Sequence, residues 1–349
     1  MSSGGSGMST SASLRTAVLA SGAAIVGTVI LLRWSPLRRK LWPRKFQIQR
    51  LFLFPIKSAA PVEVNELHLD KHGFKYDRRW AVINKSGEVV TLRTCPRLVL
   101  VQPEVLPGAR LALALSAPGM KRIEVPVPGD SQVEMNINLW KVPGTAKDCG
   151  PEAAKWLQDF LGQEYRLAYY GEEVGGVKWR DMCKQAAWND GDESKSVYYP
   201  GSTIGFADST PGTIISKASL DALNRRLTSK LAVERFRMNL VLEGTDAYEE
   251  ESWTSFGIGD KTFVMSRMCN RCLVVLTDPK SGEQGPEKGE PLKELRAYRS
   301  PGQVHHCDPR HQEAPILGMK FGTACHEGAV RVGDEVTPLS IWKHGDRLY

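Results

Sequence analysis

From Phe46 onward the chain breaks into short apolar or alternating runs, each closed by glycine, proline, aspartate or asparagine, and that punctuation limits it to a β-rich architecture. F-Q-I-Q-R-L-F-L-F-P-I-K-S (46–58) alternates, then turns fully apolar before ending at Lys57-Ser58. E-V-N-E-L-H-L-D (63–70) alternates, with Val64, Leu67 and Leu69 among polar residues. Trp80–Ile83, Glu88–Leu92, Leu98–Val101, Arg110–Leu115 and Ile123–Val127 read as further strands, a spacing that predicts a small barrel or sandwich. Pro151–Leu161 breaks the pattern as a helix: proline suits a first turn, and Ala153, Trp156, Leu157, Phe160 and Leu161 share one face. Residues 170–205 read as a long surface loop and Ile214–Leu227 as a second helix. Strands follow at Phe236–Leu242, Thr262–Ser266, Leu273–Thr277, Leu317–Phe321 and Val330–Leu339, with a short helix at Pro291–Tyr298.

The chain's 349 residues suit about two domains. Its net charge of +7 looks like a nucleic-acid signal until it is located. The first 50 residues hold eight Lys and Arg and no acid, so residues 51–349 carry 7 − 8, or −1. A nucleic-acid footprint needs a basic face on the folded body, so no nucleic-acid partner is expected. Residues 1–15 are polar and Gly/Ser-rich. Thr16–Leu32 is uncharged between Arg15 and Arg33, at the short end for a membrane-spanning helix. The basic run R-W-S-P-L-R-R-K that follows favours retention of that side in the cytosol. The expected organisation is therefore a disordered start (1–15), a transmembrane anchor (16–33), a basic linker (34–45) and two β-rich domains (46–172 and 173–349). Seven cysteines, odd in number and sparse, fit a reducing compartment better than a disulfide scaffold.

The most chemically committed stretch is S-R-M-C-N-R-C-L-V-V-L-T-D (266–278), which sets Cys269 and Cys272 two residues apart, with Asn270 and Arg271 between. Thiolates beside cations are good soft-metal ligands. Three readings stand side by side. The pair is half of a zinc site completed by His305, His306 and Cys307, a redox dithiol, or two core cysteines. The dithiol reading wants a following helix where a strand is expected, and Asn270 and Arg271 argue against a dry core. Basic and hydroxyl groups recur at strand ends: Lys57-Ser58, Asp77-Arg78, Arg93, Asp208-Ser209-Thr210, and Arg237 with Asn239. Together they suit a phosphate and a polar heterocycle. No G-x-G-x-x-G, Walker A, G-x-S-x-G or H-E-x-x-H is present, so electrons for a reductase would come from a partner protein.

L-F-P-I-K-S, D-R-R-W-A-V-I-N, V-V-T-L-R-T-C-P-R-L-V-L, F-R-M-N-L-V-L and C-N-R-C-L-V-V-L-T-D-P occur in this order from about Phe46 to the C-terminus. Together they resemble the molybdenum-cofactor sulfurase C-terminal (MOSC) domain family, and within it the amidoxime-reducing branch. The resemblance implies a mixed, β-rich α+β fold: an N-terminal MOSC β-barrel-like domain and a MOSC β-barrel domain with a few peripheral helices, preceded by one transmembrane helix. It implies the molybdenum cofactor (Mo-molybdopterin), with Cys272 as thiolate ligand to the metal. Lys57, Ser58, Arg78, Arg237 and Asn239 would grip the pterin and its phosphate, and Ser209, Asn270 and Arg271 would line the cofactor. Asp208 would stand near the metal to handle protons, and Cys269 would be the lesser cysteine. Two features depart from the family pattern: Ala59-Ala60-Pro61 after Lys57-Ser58, and the His305/His306/Cys307 cluster.

The implied activity is reduction of N-hydroxylated compounds, amidoximes and hydroxylamines, to amidines and amines. Electrons would pass from NADH through cytochrome b5 reductase and cytochrome b5. The implied location is the mitochondrial outer membrane, single-pass, with the catalytic body facing the cytosol. Two other functional classes remain at this level: a sulfur carrier with a persulfide on Cys272, and a non-catalytic tethered scaffold whose cysteines bind zinc.

Overall fold

The computed structural model describes residues 44–106, 108, 112–129, 133–171, 205–285, 289–304, 314–323 and 325–342. The proposed anchor (16–33), nearly all of the linker and of the 170–205 loop, and His305, His306 and Cys307 lie outside these residues. Among the described residues no helix is long and apolar enough to cross a membrane.

The first strands are β1 (Phe46–Leu53), β2 (Val62–Val64), β3 (Glu66–Asp70), β4 (Gly73–Phe74), β5 (Trp80–Asn84), β6 (Gln102–Leu106), β7 (Ala112–Ser116) and β8 (Ile123–Pro126). There follow β9 (Glu134–Leu139), β10 (Val142–Asp148), helix α1 (Pro151–Leu161) and β11 (Tyr165–Tyr169). The remainder comprises β12 (Gly212–Ser216), α2 (Lys217–Asn224), β13 (Leu240–Glu243), β14 (Trp253–Ile258), β15 (Lys261–Asn270) and α3 (Leu292–Tyr298). The last strands are β16 (Ile316–Thr323), β17 (Ala329–Arg331) and β18 (Glu335–Ile341).

Seven strands close a barrel in the order β1-β13-β12-β16-β15-β14-β18 and back to β1, with β2 added on the flank of β1. All these pairs are antiparallel except β12–β13. Strand β1 makes the closure: it pairs Leu51 with Leu240 on one side and Phe46 with Val336 on the other. The barrel is filled by aromatic rings. Phe256 and Phe263 stack at 5.0 Å, and Phe321 meets them edge-on at 5.4 and 5.5 Å. The Phe321 ring lies over Gly212, where an added Cβ would approach to 2.3 Å, so glycine leaves room for the ring. A second core lies under the four-stranded sheet β5-β11-β10-β9, where Trp80, Leu167 and Val82 meet Trp156, Leu157 and Phe160 of α1. A third, built on Phe52, Phe54, Phe236 and Leu295, packs α2 and α3 against the barrel.

The β-rich expectation holds, with local corrections. Ile214–Leu227 is not one helix. Ile214, Ile215 and Ser216 end strand β12, and Ser216 caps α2 by accepting from Ser219 N. The β-branched pair favours the strand and the serine starts the helix. Leu98–Val101 and Leu273–Thr277 are not strands. They fall in 3₁₀ turns at Pro96–Leu100 and Leu273–Leu276, the first opened by proline, the second with Leu273 left 51% exposed. Strand β13 begins at Leu240 and not at Phe236, because Arg237 adopts a left-handed backbone (φ 56°).

Replacing Phe321 by alanine removes the ring shared by both aromatic contacts, and is expected to cost about 3–5 kcal/mol in urea unfolding.

Candidate functional site

All ten sequence-predicted site residues line one cavity. Lys57-Ser58 arrive from the end of β1. Arg78 comes from the turn before β5, and Asp208-Ser209 from the approach to β12. Arg237 and Asn239 precede β13, while Asn270 ends β15 and Arg271 and Cys272 follow it. Seven described non-glycine residues have positive φ, and four of them (Ser58, Arg78, Trp140 and Arg237) line this cavity. Left-handed backbone at non-glycine residues costs energy and persists only where packing enforces it. At Gly205 the chain presses on Arg78: an added Cβ would lie 2.5 Å from the Arg78 carbonyl, which accepts from Phe206 N at 2.6 Å.

One end of the cavity is a paired guanidinium cradle. The guanidinium carbons of Arg78 and Arg237 lie 4.2 and 4.5 Å from the centroid of Phe54. Arg78 donates to Asp77 and, at 3.0 Å, to Asn239 Oδ1. Arg237 donates to the Ala59 carbonyl at 2.7 Å, but its buried Nη2 has no partner. Burial and the neighbouring Arg78 bring the Arg237 pKa down to about 9. Two cations facing one carboxylate, with a buried donor unspent, form a site for an anion. Asn239 itself is fully buried and satisfied. Its amide donates to Phe52 O (3.0 Å) and Asp77 Oδ1 (3.1 Å), and its oxygen accepts from Arg78 and Thr213. It therefore acts on the cavity through the arginine it holds.

A second cluster surrounds Asp208. Lys57 donates to it at 2.6 Å and to the Phe206 carbonyl at 2.8 Å, and Trp140 Nε1 donates to it at 2.9 Å. Desolvation pushes the Asp208 carboxyl up, but the Lys57 charge and hydrogen bond, the Trp140 N–H and the Lys320 charge outweigh it, holding the group well below the usual carboxylate range. Burial lowers the Lys57 pKa, Asp208 works against that, and Arg78 and Arg237 add to it. Trp140 reaches the site from the β9–β10 hairpin tip, and Arg93 lies 4.7 Å above its ring.

Cys272 is half-buried in extended backbone (φ −125°, ψ −176°) at the start of the 3₁₀ turn, where its carbonyl accepts from Val275 N. Cys269, within β15, is buried. Arg271 is a brace: it donates to the carbonyls of Leu317 (2.9 Å) and Phe236 (2.8 Å), and contacts Met238 Sδ. Among the described residues no three His, Cys, Asp or Glu side chains converge on one point. Trp140, Arg267 and Lys320 line the space unannounced by the sequence reading. Lys320 had a signal: it is the lone charge in the apolar strand I-L-G-M-K-F-G-T.

The fold and site define a β-barrel protein whose cation-lined cavity holds one half-buried thiol, Cys272, beside the buried Cys269. Residues 45–164 match the MOSC N-terminal beta barrel domain and residues 201–337 match the MOSC domain; the chain belongs to the MOSC-domain family. It is similar to mitochondrial amidoxime-reducing component 1 of Mus musculus, 32% identical over 93% of this chain and 91% of that one. Component 2 of Rattus norvegicus is also 32% identical (93% and 92% covered), and component 1 of Homo sapiens 31% (93% and 92%).

Because the folded-state pKa of Asp208 is depressed, its ionisation adds stability above the unfolded carboxyl value, and that stability is lost as pH falls toward the folded value. Asp208→Asn is therefore expected to be less stable than the parent at neutral pH, with the gap narrowing steadily below about pH 4, read by urea unfolding across that range.

Proposed function

We propose that this protein is a molybdenum-cofactor oxidoreductase that reduces N-hydroxylated compounds, with electrons from NADH by way of cytochrome b5 reductase and cytochrome b5. The family membership and the amidoxime-reducing relatives support the reaction class. The observation that carries the reading is the cavity itself: a paired guanidinium cradle with a buried, unpartnered Nη2 and an accessible thiol line one space.

The residues fit such a group. Arg78 and Arg237 would take its phosphate, and Ser58, Ser209 and Asn270 would line it. Cys272 would supply the protein's thiolate, while Asn239 and Arg271 keep the frame rigid. When bound, the cofactor supplies a two-electron centre able to take oxygen from an N–O bond. Asp208, ionised and fixed by Lys57 and Trp140, accepts a hydrogen bond from a substrate N–OH. A carboxyl held that low does not store a proton at neutral pH, so water supplies the protons.

Residues 16–33 would anchor the chain to the mitochondrial outer membrane with the body in the cytosol, where donor proteins share the same surface. The mitochondrial names of the relatives support the organelle. Residues 46–172 and 173–349 would be the two domains.

Metal and pterin analysis of the purified full-length protein tests the reading. The parent is expected to hold near-stoichiometric molybdenum and pterin. Cys272→Ser should lose metal by more than the roughly 10- to 100-fold that removal of an outer-shell partner costs, while Cys269→Ser retains it. Zinc without pterin would sink the proposal, and a labile sulfur on Cys272 of an apo protein would replace it with sulfur transfer.

A further inference from the structure

Beside the guanidinium cradle the cavity opens into a chamber of about 370 Å³ whose lining overlaps it at Cys272, Asp208, Trp140, Arg93 and Lys320. Its lining leaves out Arg78, Arg237 and Asn239 and takes in Arg267. Three cations face it: Arg93, Arg267 and Lys320. Arg267 makes no hydrogen bond or ion pair among the described residues, and its buried Nε is unpartnered. Among the described residues Lys320 donates only to the Ser209 hydroxyl, at 3.1 Å. Arg93 rests on Trp140 and has no carboxylate partner among the described residues. The one acid in the lining, Asp208, is already paired with Lys57 at 2.6 Å. The remaining guanidinium, Arg271, is spent on carbonyls.

A chamber lined by three such cations, with its one carboxylate already paired, carries uncompensated positive charge. Burying a donor such as Arg267 Nε without an acceptor is unfavourable unless a ligand completes it. We infer that this chamber is an anion subsite for the substrate: it takes a carboxylate on an organic N-hydroxylated compound, so the enzyme selects substrates that carry a negative charge. Arg267 and Lys320 bind the carboxylate, and the Trp140 ring walls the space beside it. The reaction named here rests on the proposal above, whereas the charge selectivity rests on the chamber alone.

The test has a binding arm and a turnover arm. In calorimetry with the full-length protein, benzoate is expected to bind about tenfold or more tightly than neutral benzamide. Arg267→Gln and Lys320→Met should each erase most of that difference, Lys320→Arg should restore it, and Arg237→Gln should leave it in place. Equal binding of benzoate and benzamide would overturn the inference. So would loss confined to Arg237→Gln, which would put the anion in the phosphate cradle. Acetate binding as tightly as benzoate would reduce the chamber to a bare anion hole and overturn the assignment to an organic substrate. In turnover, the ratio of kcat/KM for 4-carboxybenzamidoxime over benzamidoxime should exceed about ten in the parent and collapse in Arg267→Gln through KM. If neither amidoxime is reduced while benzoate binding still depends on Arg267, the proposed reaction fails and the subsite stands.

Discussion

One buried amide ties the functional cavity together. Asn239 bonds the backbone of β1 at Phe52, the Asp77 carboxylate, the Arg78 guanidinium and the Thr213 hydroxyl, so three other segments of the chain meet at one side chain with no exposure to water. A leucine of similar volume would fill the space and leave Asp77 and Arg78 without their shared brace. Such networks specify one arrangement because a half-satisfied version is costly.

The cavity concentrates positive charge in a body that is nearly neutral outside its N-terminal arm. Lys57, Arg78, Arg237 and Lys320 all line it, and burial works against the charged forms of Lys57, Arg237 and Lys320. The protein offsets this locally: Asp77 serves Arg78, Asp208 serves Lys57, and Phe54 lies under both guanidiniums. What is left uncompensated, Arg237 Nη2 and Arg267 Nε, marks where a ligand would be stabilised. The left-handed backbone at Ser58, Arg78 and Arg237 belongs to the same design, since it turns these side chains into the space.

Much of this was legible in the sequence for a physical reason. Strand ends carrying Lys57-Ser58, Arg78, Asp208-Ser209 and Arg237 stood out because basic and hydroxyl residues closed apolar runs, and those runs are the buried strands that converge. Helix α1 kept its predicted bounds because its proline, its apolar face and Gly162 all agree. Where periodicity was ambiguous, local chemistry decided: Ile214-Ile215 went to a strand, and Leu273–Leu276 tightened into a 3₁₀ turn. Trp140 gave no sign, because a hairpin tip reaches the cavity only through tertiary placement. Asn239 and Arg271 were recognisable as site residues, yet their bracing role depends on carbonyls that no motif encodes.

The closure of the barrel by β1 also has a meaning in time. Gln47 meets Glu243 across 196 positions of chain, and Phe46 pairs with Val336 near the far end. A ribosome releases β1 long before β13 and β18 exist, with only β2 close behind to pair Leu51–Leu53. Until β13 and β18 emerge, β1 is an apolar ribbon with largely unpaired edges, the form most open to chaperones and to wrong partners. Because the same segment leads into Lys57 and Ser58, the cavity comes into being only after Lys320, far along the chain, has emerged.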